Sequence, residues 1–288
     1  MTDGVVADFT TDVIPDTGTY DEPVRGRVLM NREQVVIVTA DDRTTFAIDD
    51  VFDLAYGSAP KGMRRFFEDT VTVAYESVGQ KRVALIEGAD DVVERFMNLL
   101  FKGVLNGTTV TIKHPARVGG RITDEPFRRA SLYIAPTEVR FKSDSPLAIS
   151  VSSVSHFERV EREIRGKTRP VLSVSHSDGR DTVTTEIGLT SDRKMNVLGR
   201  YLRTEYSQLR EELADISLSE EEIEVLVGLY SGASAGNLAA MLGVDASRVT
   251  YVLESLVEKG LLEESSDGMA LSATGTLAVG QHIEDVNL

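Results

Sequence analysis

Between residues 22 and 48, EPVRGRVLMNREQVVIVTADDRTTFAI, apolar and polar positions alternate in short runs broken by polar turns. Residues 125–149, EPFRRASLYIAPTEVRFKSDSPLAI, repeat that order: Glu-Pro, basic residues, an apolar strand, a polar turn, a second strand. Each copy then reaches a half-alternating stretch, DDVFDLAYG or SSVSHFERV, and a further strand pair, TVTVAYESVGQKRVALIEG or VLSVSHSDGRDTVTTEIGL. A period of two marks half-buried strands. Both copies close on an amphipathic helix, where ERFMNLL (94–100) matches DRKMNVL (192–198).

The pattern predicts one unit used twice, with six or seven short strands and a C-terminal helix in each. In the helix expected over 90–104, Val92, Val93, Phe96, Met97, Leu100 and Val104 fall at helical spacing, a stripe able to cover an open barrel. Small barrels capped by one helix are the architecture of pleckstrin-homology-like (PH-like) domains. The stretch GRVLMNREQVVIVTADDRTTFAIDDVFDLAYG is similar to the opening strands of the GRAM branch of that fold. Some such domains hold inositol phosphates with basic residues at the first hairpin turn. Here that turn offers only Arg32 in the first copy and no base in the second, IAPTEV, which argues against a lipid headgroup.

From Ser219 the period becomes helical. Ser219 and Glu222 form a capping box ahead of Ile223, Leu226, Val227 and Tyr230, and Gly232, Gly243 and Gly260 sit where helices stop. SSDG (265–268) between LLEE and MAL reads as a tight hairpin, so helix, turn, helix and wing together resemble a winged helix-turn-helix domain. The expected fold is α+β: two tandem PH/GRAM-like β-barrels, each with a C-terminal helix, followed by a winged helix-turn-helix domain. The boundaries read as 1–112 for the first unit, 113–124 for a basic hinge, 125–212 for the second unit and 217–288 for the winged helix.

A chain of 288 residues has room for these two or three domains. It contains no cysteine, which excludes disulfides, thiolate metal sites and a cysteine nucleophile. No apolar run approaches the roughly 18–20 residues of a membrane span. The N-terminus, MTDGVVADFTTDV, lacks the positive region of a secretory signal, so a cytoplasmic location is expected. The net charge of −15, with arginine dominating the bases, suggests a salt-rich cytosol. In about 1 M salt the screening length falls to about 3 Å, so charged docking must use short, hydrogen-bonded contacts.

Charge also changes the reading of the winged helix. Between Glu211 and Leu288 there are 15 acids and two bases, Arg248 and Lys259. The expected wing carries Glu263, Glu264 and Asp267, which phosphates would repel. A protein-binding module therefore fits better than a DNA reader, although a winged-helix transcriptional regulator with tandem sensor domains stays open as the alternative. No nucleic acid is expected as a partner, and no membrane insertion.

Catalytic patterns are missing. His114, His156, His176 and His282 show no metal-ligand spacing, and no GxSxG, GxxxxGK[ST] or GxGxxG occurs, so neither an enzyme nor a bound metal or cofactor is expected. The remaining feature is basic. Lys113, His114, Arg117, Arg121, Arg128 and Arg129 crowd the expected junction, and Arg162, Arg165, Lys167 and Arg169 an expected loop of the second copy. The first copy has Lys61, Arg64 and Arg65 at the matching place. Guanidinium groups grip carboxylates bidentately, so these clusters are the candidate partner-binding residues.

Several stretches carry a more specific resemblance: DEPVRGRV, EDTVTVAYE, LNGTTVTIKHPARVGGRITDEPFRRA, FERVEREIRGKTRPVLSV and KMNVLGRYLRTEY. From about Val6 to the winged helix the chain resembles the archaeal chemotaxis adaptor family CheF, of haloarchaeal type. The resemblance implies a non-enzymatic adaptor that receives the phosphorylated response regulator CheY and passes its signal to the switch proteins at the base of the archaellum. An acidic CheY surface would suit the junction cluster. A second copy of the chain is a further candidate partner.

Overall fold

The computed structural model describes residues 4–59, 63–67, 69–88, 91–178, 181–265 and 268–286. Seven strands form the first sheet: β1 (Ala7–Ile14), β2 (Val24–Met30), β3 (Gln34–Val38), β4 (Arg43–Ala47), β5 (Val51–Ser58), β6 (Asp69–Ser77) and β7 (Gln80–Glu87). Their spatial order is β4-β3-β2-β1-β7-β6-β5, antiparallel throughout, and helix α1 (Asp91–Leu105) follows. The second sheet holds β8 (Thr108–Val118), β9 (Arg121–Ile122), β10 (Arg128–Ala135), β11 (Glu138–Lys142), β12 (Leu147–Ser150), β13 (Val154–Ile164), β14 (Lys167–Asp178) and β15 (Asp181–Leu189). Its order is β12-β11-β10-β8-β15-β14-β13, with β9 beside β8, and helix α2 (Asp192–Ala214) follows. With β9 set aside, the two orders are the same path through seven strands, in line with the repeat read from the pattern.

Neither sheet closes into a barrel, which corrects the expected architecture. β4 and β5 are free edges of the first sheet, joined by a 3-10 turn at Ile48–Asp50. Side chains fill the gap that ladder hydrogen bonds would have closed. Phe96, Met97, Leu100, Phe101, Val104 and Leu105 of α1 are buried, and the helix lies close enough that a Cβ on Gly103 would sit 3.2–3.3 Å from Ile48 and Met30. Val92 departs from the expected stripe and is 47 % exposed.

The basic hinge expected at 113–124 is also corrected. Residues 113–118 belong to β8, which pairs with β10 through 108–112 and with β15 through 110–118. Between Lys113↔Glu186 and Arg117↔Thr184 the ladder shifts register, with His114, Pro115 and Ala116 bulging opposite Thr185. A bulge needs no ladder donor, so Pro115 can stand inside a strand. The loop expected at 161–170 is instead the tip of the β13–β14 hairpin, with Arg162 on β13, Lys167 and Arg169 on β14, and only Arg165-Gly166 in the turn.

The C-terminal part comprises α3 (Glu220–Tyr230), α4 (Ala235–Leu242), α5 (Ala246–Glu258), the hairpin β16 (Leu262–Ser265) and β17 (Gly268–Leu271), and α6 (Ala273–Val286). Its capping box is formed as expected, with Ser219 accepting from the Glu222 amide and Glu222 accepting from the Ser219 amide. Gly232, Gly243 and Gly260 take positive φ at the helix ends. Ser266 and Asp267 of the expected wing lie outside the described residues. The α+β class holds, with two large antiparallel sheets and six helices among the described residues. One apolar core runs through all three parts, from Val13 through Phe101 and Tyr201 to Leu277.

Candidate functional site

Strand alternation decides which bases can meet a ligand. On β8, Val110 and Ile112 are buried in the core, which sends Thr109, Thr111 and Lys113 to the opposite face. On β10 the same rule buries Ala130 and Leu132 and turns Arg129 outward beside Thr111. Thr111 also stands opposite Gly188 of β15. The β13–β14 hairpin curls over this face: Ile164 is 6 % exposed, and a Cβ built on Gly188 would lie 3.4 Å from its Cδ1 and 2.7 Å from Thr111 Oγ1. Only glycine leaves that floor open. The result is a groove of about 270 Å³ that brings together Arg129, Arg165, Arg169, Thr111 and Thr190.

Arg165 and Gly166 hold the turn at φ 53° and 73°. The type I′ two-residue hairpin needs positive φ at both positions, which ordinarily selects Asn-Gly or Asp-Gly. An arginine there accepts a disfavoured backbone state and projects its guanidinium at the groove mouth. Arg129, Arg165 and Arg169 are exposed and sit on no carboxylate among the described residues. Glu186, on the groove strand β15, is buried and committed to Arg162 at 2.5 Å.

The ten bases singled out in sequence thus separate into three sets. Three are engaged within the fold and a fourth, Arg128, has its Nε buried there. Lys113 donates to the Thr123 carbonyl at 3.0 Å, Arg162 pairs with Glu186, and the Arg128 Nε is buried without a hydrogen-bond partner among the described residues. His114 Nδ1 lies 2.8 Å from Thr185 Oγ1, and His176 Nε2 lies 2.9 Å from the same hydroxyl, with the two rings stacked at 5.8 Å. Burial holds both imidazoles below the ordinary histidine pKa; Arg128 acts on His114 in the same direction, against Asp178 and Glu125. The second set, Arg117 and Arg121, flanks the Gly119-Gly120 turn of the β8–β9 hairpin, exposed at its tip. Arg129, Arg165 and Arg169 line the groove, and Lys167 is exposed at the start of β14. Of the first-copy cluster, Arg64 donates to the Ala59 carbonyl and Arg65 stacks on Phe66, while Lys61 lies outside the described residues.

Thr109, Thr111, Thr190 and Gly188 had no signal in the sequence beyond strand alternation, because sheet register alone places them beside the arginines. The C-terminal bases are both occupied: Arg248 pairs with Glu221, and Lys259 with Glu222 at 2.7 Å. No three His, Cys, Asp or Glu residues converge as a metal site, and no helix is long and apolar enough to cross a membrane, among the described residues.

The features that stand out are two open sheets, a groove lined by arginines and an acidic C-terminal part. Comparison with known proteins says which system the chain serves. Residues 5–208 match the family described as archaeal chemotaxis signal transduction system protein F, CheF, and the chain belongs to that family. Residues 217–282 match a domain of unknown function. The chain is 50 % identical over 288 residues to taxis protein CheF2 of Halobacterium salinarum, covering 100 % of both chains. It is 28 % identical over 247 residues to taxis protein CheF1 of the same organism, covering 83 % of this chain and 81 % of that one. Among solved structures, the inner membrane complex sub-compartment protein 3 of Toxoplasma gondii aligns over 35 % of this chain and 75 % of its own, at 10 % identity and TM-score 0.25. The Spt16D–Pob3N heterodimer aligns over 64 % and 97 %, at 11 % identity and TM-score 0.24. Likenesses that weak carry no argument about fold.

Proposed function

We propose that this chain is a non-enzymatic adaptor of archaeal taxis that receives the phosphorylated response regulator CheY and hands its signal to the archaellum switch proteins. The observation that carries this reading is the full-length match to a taxis protein at 50 % identity. In this reading the two sheet-and-helix units are tandem PH/GRAM-like scaffolds and residues 217–288 a winged helix turned to protein binding. The adaptor works in the cytoplasm, at the base of the archaellum.

Its surfaces offer partners two opposite characters. The β8–β9 tip presents Arg117 and Arg121, suited to bidentate contact with an acidic surface. Residues 211–288 carry 15 acids in their sequence, and their two bases are already in ion pairs. That pairing, together with the family, leaves the transcriptional regulator without support.

The test is capture of CheY, with and without an acyl-phosphate mimic, and of the switch proteins, by the full chain and its Arg117→Glu/Arg121→Glu variant in high-potassium buffer. The adaptor reading expects the wild type to capture both, CheY in a phosphate-dependent way, and the variant to lose one of them by about tenfold or more with an unchanged melting temperature. Capture of neither partner by the wild type would remove the adaptor reading. Undiminished capture of both by the variant would move the dock away from the tip.

A further inference from the structure

We propose that the groove between β8, β10, β15 and the β13–β14 hairpin is a binding site for a small phosphorylated ligand, free phosphate or a phosphate ester, held by Arg129, Arg165 and Arg169. This site is separate from the β8–β9 tip and does not depend on the adaptor reading.

Three observations converge on it. The arginines come from two separate segments, Arg129 from β10 and Arg165 and Arg169 from the β13–β14 hairpin, and meet at one hollow, although the protein carries a net charge of −15. Several other arginines are spent on carboxylates: Arg82, Arg140, Arg159, Arg162, Arg193 and Arg200 each hold one. Three guanidinium groups left without one, on a single hollow, are a cation excess that a ligand anion would cancel. The carboxylate of β15, Glu186, does not compete because Arg162 neutralises it at 2.5 Å.

Size narrows the ligand class. A hollow of about 270 Å³ takes a phosphate with a group such as a sugar, and is too small for an element of a folded partner. Its wall adds the hydroxyls of Thr109, Thr111 and Thr190, and hydroxyls complement phosphate oxygens beside a guanidinium fork. The Thr111 hydroxyl already reaches the Gly188 carbonyl at 3.4 Å, a long contact that a phosphate oxygen would replace. Planar arginine forks bind phosphate bidentately, and such short contacts survive salt that screens longer-range attraction.

The experiment titrates the full chain in high-potassium buffer with inorganic phosphate, pyrophosphate and adenosine monophosphate, at constant ionic strength set with chloride. Phosphorus NMR reads binding and thermal melting reads the stabilisation of the folded state. The expected result is saturable line broadening and a raised melting temperature for at least one probe. Inorganic phosphate or pyrophosphate would mark a free-anion site, and adenosine monophosphate alone a phosphate-ester site. Arg129→Gln/Arg169→Gln should weaken that binding by about tenfold or more. Arg165→Asn, whose side chain suits the turn, should weaken it while the protein stays folded, and Arg117→Glu/Arg121→Glu should bind as wild type does. The proposal is overturned if no probe saturates, if both groove variants bind like the wild type, or if only the tip variant loses binding.

Discussion

Glu222 is 6 % exposed and serves four groups: the Ser219 amide at 2.8 Å, the Ser219 hydroxyl at 3.1 Å, the Ser255 hydroxyl at 2.8 Å and the Lys259 ammonium at 2.7 Å. Burial alone would raise its pKa. The donors outweigh burial, Lys259 first, and bring it from 4.5 down to about 2. A carboxylate with a depressed folded pKa adds stability above its unfolded pKa and loses it as pH falls through the folded value. The contribution, about 2–3 kcal/mol, is therefore full above about pH 5 and fades towards pH 2. Glu222→Gln should lose most of it at neutral pH, and the gap from wild type in denaturant melts should narrow steadily below pH 5. A gap independent of pH would mean that packing, and not charge, makes the site.

For elements, the deciding question is what each one covers. Helix α1 lies over the open side of the first sheet, and Leu100 at its centre is fully buried. Leu100→Ala should cost about 2–5 kcal/mol in a denaturant melt, the lost transfer free energy plus the cavity left in the core. Val92→Ala, on the exposed face, should cost less than about 0.5 kcal/mol. Alternation and helical spacing made most strands of each copy and the first helix readable in the sequence, and the repeat made them readable twice, though as barrels and not as the open sheets that form. The pattern hid β8. Pro115, Gly119 and Gly120 read as punctuation, yet the proline sits in a bulge and the glycines turn β8 into β9. The basic clusters were legible as charge, but their division was not. Whether Arg162 is spent on Glu186 or Arg129 is left free depends on the register of strands far apart in the chain, such as Val110 of β8 opposite Leu189 of β15, which no local pattern encodes.

Across the whole molecule, α2 joins the parts. It packs on β5 of the first sheet, meets α1 where Tyr201 and Phe101 stand edge to face at 5.4 Å, and reaches α6 through Thr274, which donates to Glu212 at 3.0 Å. Arg193, Lys194 and Arg200 hold Glu76, Asp49 and Asp53 of the first sheet unit. These pairs are largely exposed, so each is worth about 0–1 kcal/mol and less in molar salt. Replacing all three cations by glutamine should cost about 1–2 kcal/mol in dilute buffer and shrink further in concentrated salt. Phe101→Ala, in the apolar seam, should cost about 3–5 kcal/mol in either. The opposite ranking would make the joint electrostatic.

An α-helix that serves three bodies at once is also a gauge of phase. At about 100° and 1.5 Å per residue, one inserted residue within the 23 of α2 would swing the acidic C-terminal part around the helix axis and strip the buried stripe of Leu198, Leu202, Leu209 and Leu213 from its neighbours. Length changes among relatives should therefore collect in the connections, such as that between β5 and β6, and spare 192–214. On that geometry, the number of residues in α2 constrains the fold before the identity of any one of them does.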